Sequence, residues 1–397
     1  MYNFTASIFT FALFFGFFVQ ANAEPQNSSK LRRILGERLF FDTNLSNPPG
    51  QSCSSCHDPN YLFVDPDAWV PTSEGIISGR FGNRNTPTAM YMAFSPDFYY
   101  DEMEETYIGG QFRDGRAKNL AEQAKVPFLN PLEMANRDKA MVISKIRSAH
   151  YAHLFKKVYG AKALDNVEEA YNDMAEAIAE FERSKRFSPF TSKYDAYLAG
   201  QTKLSTQEMR GLELFEREDK GNCAACHPSQ VGLNGEPPLF TDFSYDNIGT
   251  PKNPNNFFYA ISKQFNSEGL GFIDNGLADN PQVQSDGRQR SEKGKHKVPT
   301  LRNINRTGPW MHNGFFQTLR GVVEFYNSRD IRPVCHDSMI TEAQAQANGC
   351  WPAAEVIENV NKDELGALGL DDSEMNDIVV FLKTLDDGYT TFNSTGK

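Results

Sequence analysis

Cys53-Ser54-Ser55-Cys56-His57 and Cys223-Ala224-Ala225-Cys226-His227 decide the reading of this chain. Each is a Cys-x-x-Cys-His pattern, the attachment signature of haem c. Two thiols three residues apart on a helical turn reach the two vinyl groups of one porphyrin. The His that follows comes beneath the iron as an axial ligand. At this chain's Cys and His frequencies, one chance match is expected at about the 10⁻³ level and two at about 10⁻⁶. The rival is a zinc site made from both cysteine pairs. The span from Cys56 to Cys223 far exceeds the ~15–20 residues usual between such pairs, and each pair carries its own His.

Working outward, the surroundings of the two motifs repeat. Gly36-Glu37-Arg38-Leu39-Phe40 precedes the first and Gly211-Leu212-Glu213-Leu214-Phe215 the second. Both read as amphipathic helices followed by a short polar stretch, so a duplicated unit is the economical explanation. Ser205-Thr206-Gln207-Glu208 is a capping box that starts the second helix. Helical spacing also marks Val167 to Arg183 and Asp372 to Leu385, and a basic helix is expected from Lys145 to Tyr159. Strand-like alternation is scarce. Segments 58–88, 228–256 and 270–300 are rich in Gly, Pro and Asn, and loops of that length in a helical protein wrap something. The expected fold is therefore mostly α, with two cytochrome c-type haem domains and long irregular loops. The boundary falls near Gly200, giving domains 24–200 and 201–397.

Bulk properties fit an exported globular protein. The 397 residues suggest two domains, and 40% hydrophobic residues supply ordinary cores. A net charge of -11 argues against a nucleic-acid partner. The first 23 residues lack Lys, Arg, Asp and Glu, and an apolar run from Ile8 to Val19 leads to Ala21-Asn22-Ala23. This is the pattern of a signal peptide over 1–23, shorter than a bilayer span. Its n-region departs from type in having no positive side chain. Export leaves Cys335 and Cys350 as a candidate disulfide whose loop of about 15 residues is worth ~3 kcal/mol.

The second axial ligands govern function, because an iron closed by two protein ligands only transfers electrons, whereas an open one binds peroxide. His150 and His153 read as surface residues of the basic helix. His336 sits in the candidate disulfide loop, and His296 lies in the basic run Lys293–Lys297. His312, within Pro309-Trp310-Met311-His312-Asn313-Gly314, is an iron ligand, a hydrogen bonder beside one, or a packed imidazole.

The chain resembles the bacterial di-haem cytochrome c peroxidases and, within them, the MauG-like enzymes. The similarity runs from about Leu31 to Leu385. It rests on Arg84-Asn85-Thr86-Pro87-Thr88, Gln111 to Ala117 (QFRDGRA), Val298 to Asn303 (VPTLRN), the Pro309 to Gly314 block and Glu324-Phe325-Tyr326-Asn327. The resemblance implies a peroxide-reactive haem on Cys53, Cys56 and His57. Ordinary peroxidases place a distal His before the Arg84 block, where this chain has Ile76-Ile77-Ser78-Gly79 and no His, as MauG-like enzymes do. It implies a second haem on Cys223, Cys226 and His227, ligated from the far side by Tyr326 where peroxidases use Met. A phenolate is a hard anionic donor and would lower that haem's potential. Read on its own, without the flanking matches that favour ligation, Tyr326 is an ordinary buried tyrosine ending a helix Leu319–Tyr326.

Gln111 matches a distal-pocket residue of the family. The family's catalytic Glu falls at Ala121, so either its neighbour Glu122 takes the acid–base role on a shifted helix or another group does. The family's inter-haem tryptophan is absent, with Met90 and Tyr91 in that stretch. A calcium ion would take Asn85 and the carbonyls of Thr307 and Pro309, with His312 organising the region between the haems. The implied reaction uses hydrogen peroxide to oxidise an external donor. MauG-like relatives oxidise tryptophans of a partner protein, and copper-regulated surface relatives make a copper-binding partner conceivable. The rivals are a peroxidase fed by a small redox protein, and a non-catalytic electron-transfer cytochrome in which Met90 or Met92 closes the first iron. The periplasm or outer cell surface is the expected location, without a membrane span after cleavage.

Overall fold

The computed structural model describes residues 26–390 except 68–69 and 233–234. The expected signal peptide lies outside the described residues. No described helix is long and apolar enough to cross a membrane. The chain is mostly helical, and among the described residues its regular sheet is confined to two short antiparallel pairs. Tyr99–Asp101 pairs with Thr106–Ile108, and Tyr245–Asp246 with His296–Lys297.

Two helix pairs organise the molecule. Gln26–Phe40 packs on Val167–Glu182, and Thr206–Glu216 packs on Asp372–Leu382. Each pair closes through a glycine. A Cβ on Gly36 would lie 1.8 Å from the Ala177 carbonyl oxygen, and one on Gly211 would lie 2.0 Å from that of Asp377. No larger residue permits either approach, which is why both repeats carry Gly at that point despite its helix penalty. The helix starts are fixed locally. Asn166 caps the second helix, and Ser205/Glu208 and Asp371/Glu374 form capping boxes on the other two starts.

The aromatic packing repeats as well. Phe40 meets Phe63 at 6.1 Å and Phe181 at 5.4 Å, edge to face. Phe215 meets Phe240 at 6.1 Å and Phe381 at 5.2 Å in the same manner. Such pairs add ~0.5–1.5 kcal/mol each beyond the area they bury. One apolar core draws on residues from Leu35 to Phe187, the other on residues from Tyr194 to Leu385.

The basic helix expected from Lys145 to Tyr159 is two helices, Lys139–Ser148 and Ala152–Tyr159. The chain breaks at Ala149, which is extended, so that Tyr151 and Phe155 both enter the core. The Tyr151 hydroxyl then donates to Asp42. Burying two rings outweighs the helical hydrogen bonds lost at the break. His150 and His153 are exposed, as expected. Cys335 and Cys350 form a disulfide with Cα atoms 5.1 Å apart. It holds Trp351 against Phe316 and Phe325, behind helix Leu319–Ser328.

Candidate haem sites and the wall between them

Each Cys-x-x-Cys-His motif opens onto a cavity. The first, lined by Cys53, Cys56 and His57, is about 1630 Å³ counted out to its open mouth. The second, lined by Cys223, Cys226 and His227, is about 1380 Å³ on the same measure. Both imidazoles are pre-set for a metal. His57 Nδ1 donates to the Phe63 carbonyl at 2.9 Å, and His227 Nδ1 donates to the Phe240 carbonyl at 2.7 Å. A proton fixed on Nδ1 leaves the Nε2 lone pair for iron. Phe63 and Phe240 both adopt positive φ, 56° and 54°, which turns each carbonyl to its imidazole. Burial pushes the Cys56, Cys223 and Cys226 thiols up to about 12. Among the described residues the cysteines form no three-residue metal cluster, so the zinc alternative finds no support. The paired thiols, the oriented His and the large apolar cavity fit one covalent haem per motif.

The far walls differ. In the second cavity Tyr326, on helix Leu319–Ser328, lines the wall with His227. Burial, then the nearby Cys223 and Cys226, push its phenol up. In the first cavity the described lining holds no Tyr, and His57 is its one His. Met92 and Met134 also line it. Met90 does not, because its sulfur accepts from Asn303 inside the core.

Gln111 is buried in the first cavity wall, and its Nε2 donates to the Met92 carbonyl at 3.1 Å. Glu122 is not brought there. At the start of helix Leu120–Leu129 it points to solvent, 49% exposed, and pairs with Lys125 at 2.6 Å. The helix turns Leu120, Gln123, Ala124 and Pro127 to the cavity instead, as a ~100° step per residue requires. The carboxyl groups that line this cavity under burial are Glu133 and Glu182. Burial raises both, and Glu182 is pushed up to about 8. Sequence reading missed them. The signal available was Glu182 on the apolar face of a strongly amphipathic helix.

Asn85 lies where the halves meet. The Asn85 backbone donates to the His312 carbonyl at 2.7 Å, and its side-chain oxygen accepts from Arg113 at 2.9 Å. A calcium ion on that oxygen would displace the guanidinium. His312 stacks on His296 with ring centres 3.8 Å apart and approaches Glu355 at 3.5 Å. Burial, then His312, lower His296 to about 4, so its ring is neutral at pH 7. Asp274 joins these two imidazoles in a potential metal-binding group. Its carboxylate, however, is gripped by both nitrogens of the Arg84 fork at 2.6 Å. Burial favours the protonated acid there, and Arg84 overrides it, holding Asp274 well below the usual carboxylate range.

With this geometry in view, residues 31–203 match the di-haem cytochrome c peroxidase family. The methylamine utilization protein MauG of Paracoccus denitrificans (strain Pd 1222) is 38% identical over 360 residues, covering 89% of this chain and 88% of that one. The chain belongs to the di-haem cytochrome c peroxidase family. Among solved structures, the diheme peroxidase BthA from Burkholderia thailandensis E264 superposes with a TM-score of 0.76 at 32% identity, covering 90% of this chain and 86% of that one. A MauG-like protein associated with microbial copper homeostasis superposes at 0.64 with 25% identity, covering 90% of each chain. Membership makes this chain a haem-peroxidase-type oxidoreductase with two haem c groups, in a mostly α, two-haem-domain fold.

Proposed function

We propose that the chain is an exported enzyme that uses hydrogen peroxide at its first haem to oxidise tryptophan side chains of a partner protein. One observation carries this reading: the far wall of the first cavity has no His or Tyr among its described residues, while the second presents Tyr326. Each haem, when bound, supplies an iron that changes oxidation state. The protein does the rest. His57 and His227 are oriented by their carbonyl acceptors. Gln111 and Gln123 present amides to the cavity that receives peroxide. Acid–base work falls to the buried carboxyls Glu133 and Glu182; burial raises the proton affinity of both, and Glu182, pushed up to about 8, holds a transferable proton at neutral pH. Tyr326 lines the second cavity and would serve as a phenolate ligand to the second iron.

Export to the periplasm or cell surface is part of the proposal, as is a copper-binding protein as the tryptophan donor; a calcium ion on Asn85, Thr307 and Pro309 also belongs to it, and would require Arg113 to leave the Asn85 side chain. Mixing the ferric protein with stoichiometric peroxide tests the core of it. A high-spin charge-transfer band that responds to peroxide, followed by oxidised tryptophan in a co-exported protein, is the expected result. The electron-transfer reading retains one favouring observation, Met92 in the first cavity. If Met92 ligates the iron, the ferric spectrum is low-spin at both haems and silent to peroxide.

A further inference from the structure

The two cavities share four lining residues: Arg113, Lys297, Val298 and Pro299. Two of the four are cations. Lys297 is buried, and its Nζ is held by the Ser95 hydroxyl and the Gly110 carbonyl, both neutral. Arg113 donates to the backbone and side-chain oxygens of Asn85, also neutral. Neither makes an ion pair with a carboxylate among the described residues. The contrast with Arg84 is direct, because Arg84 takes both nearby carboxylates, Asp114 and Asp274, at 2.6 Å. Arg113 feels the Asp274 charge from a distance but makes no direct ion pair with it.

Burying a cation without an anion is costly, and proteins keep such groups only where a counter-charge arrives or the group can lose its proton. Arg113 cannot lose its proton at neutral pH, since even the burial and the neighbouring Arg84 that lower it leave it at about 10. Burial lowers Lys297 to about 7, the strain expected of an ammonium awaiting a partner. The arriving anion is defined by the chemistry of the site. A haem c bound through Cys-x-x-Cys carries two propionate carboxylates on the edge opposite its thioether bonds. In each cavity the cysteines form one part of the lining and the shared wall another.

We propose that Arg113 and Lys297 form a cationic bridge that takes propionate carboxylates from both haems, so that the two cofactors are electrostatically coupled through one pair of side chains. Charge-assisted hydrogen bonds to carboxylate suit both, and the planar guanidinium can serve one acceptor on each side. The proposal rests on haem attachment at both motifs and is independent of whether peroxide reacts at the first.

The test is a potentiometric titration of the di-haem protein, following each haem's absorption separately, for wild type, Arg113→Gln and Lys297→Met. Removing a positive charge near both irons destabilises both reduced states, so each variant should lower both midpoint potentials. Arg113→Lys keeps the charge and should return them toward wild type. Potentials that stay fixed, or a shift confined to one haem, would overturn the bridge. Where a variant fails to load haem, resonance Raman of the wild-type protein decides. Propionate bending bands at hydrogen-bonded positions in both haems support the bridge, and bands of free propionates at either haem overturn it. Unchanged peroxide turnover alongside shifted potentials would still uphold it, since the claim concerns the cofactors' charge coupling.

Discussion

The two halves hold their haems by the same device and finish the sites differently. Each uses a glycine-locked helix pair, an edge-to-face phenylalanine cluster and a left-handed phenylalanine whose carbonyl orients the proximal imidazole. The far walls have then parted, with Tyr326 in the second cavity and amides and buried carboxyls in the first. A duplicated frame fixes where a haem sits. The residues opposite the proximal His decide what that haem does.

The strongest way to break this comparison is to remove one haem. Replacing Cys53 and Cys56 with Ala should halve the haem content and reduce the peroxide response to background. Replacing Cys223 and Cys226 should leave a high-spin haem that still binds peroxide. A haemochrome assay with a peroxide titration checks both, and retention of the response in the first variant would reverse the assignment of roles. Next in size, Glu133→Gln or Glu182→Gln should slow the peroxide step by ~10²–10⁴-fold in stopped-flow absorption, the usual contribution of a general acid or base. Glu122→Gln should leave it unchanged. Tyr326→Phe should raise the second haem's midpoint potential and alter its ferric magnetic resonance spectrum while leaving the first haem's high-spin signal in place, because an anionic donor favours the oxidised iron.

Smaller effects probe the shared frame. Gly36→Ala and Gly211→Ala should each destabilise the protein by ~1–3 kcal/mol through overpacking, although Ala is ordinarily the better helix former. Thermal unfolding would read this, and a loss at one site alone would show that the helix pairs are not equivalent. The last test is a pH slope. Glu182 binds its proton more tightly folded, at about 8, than at its ordinary 4.5. The folded state therefore holds the extra proton between those values. Its contribution is fully present below about pH 4.5 and is lost as pH rises through about 8. Glu182→Gln should flatten that decline in melting temperature.

Much of this was legible in sequence because it depends on residues close together in the chain. The Cys-x-x-Cys-His spacings, the Ser205 capping box and the repeated Gly-x-x-x-Phe helices are local patterns, and the structure honours each. The disulfide followed from two leftover cysteines in a chain read as exported. The basic helix failed because Tyr151 and Phe155 gained more from the core than from an unbroken helix. Glu122 failed because its direction depends on which face of Leu120–Leu129 packs inward, a matter of contacts with Val167–Glu182 far along the chain.

The sequence by itself determined the number of haems and the mostly helical class, and it singled out the cysteines and histidines expected to anchor and ligate them, since thioether attachment and helix capping are set within a few residues. Only the tertiary structure decided which carboxyls face the first cavity, and that Arg113 and Lys297 line both cavities without a direct carboxylate ion pair. Burial, proton affinity and charge pairing depend on groups brought together from distant positions, and no local pattern encodes them.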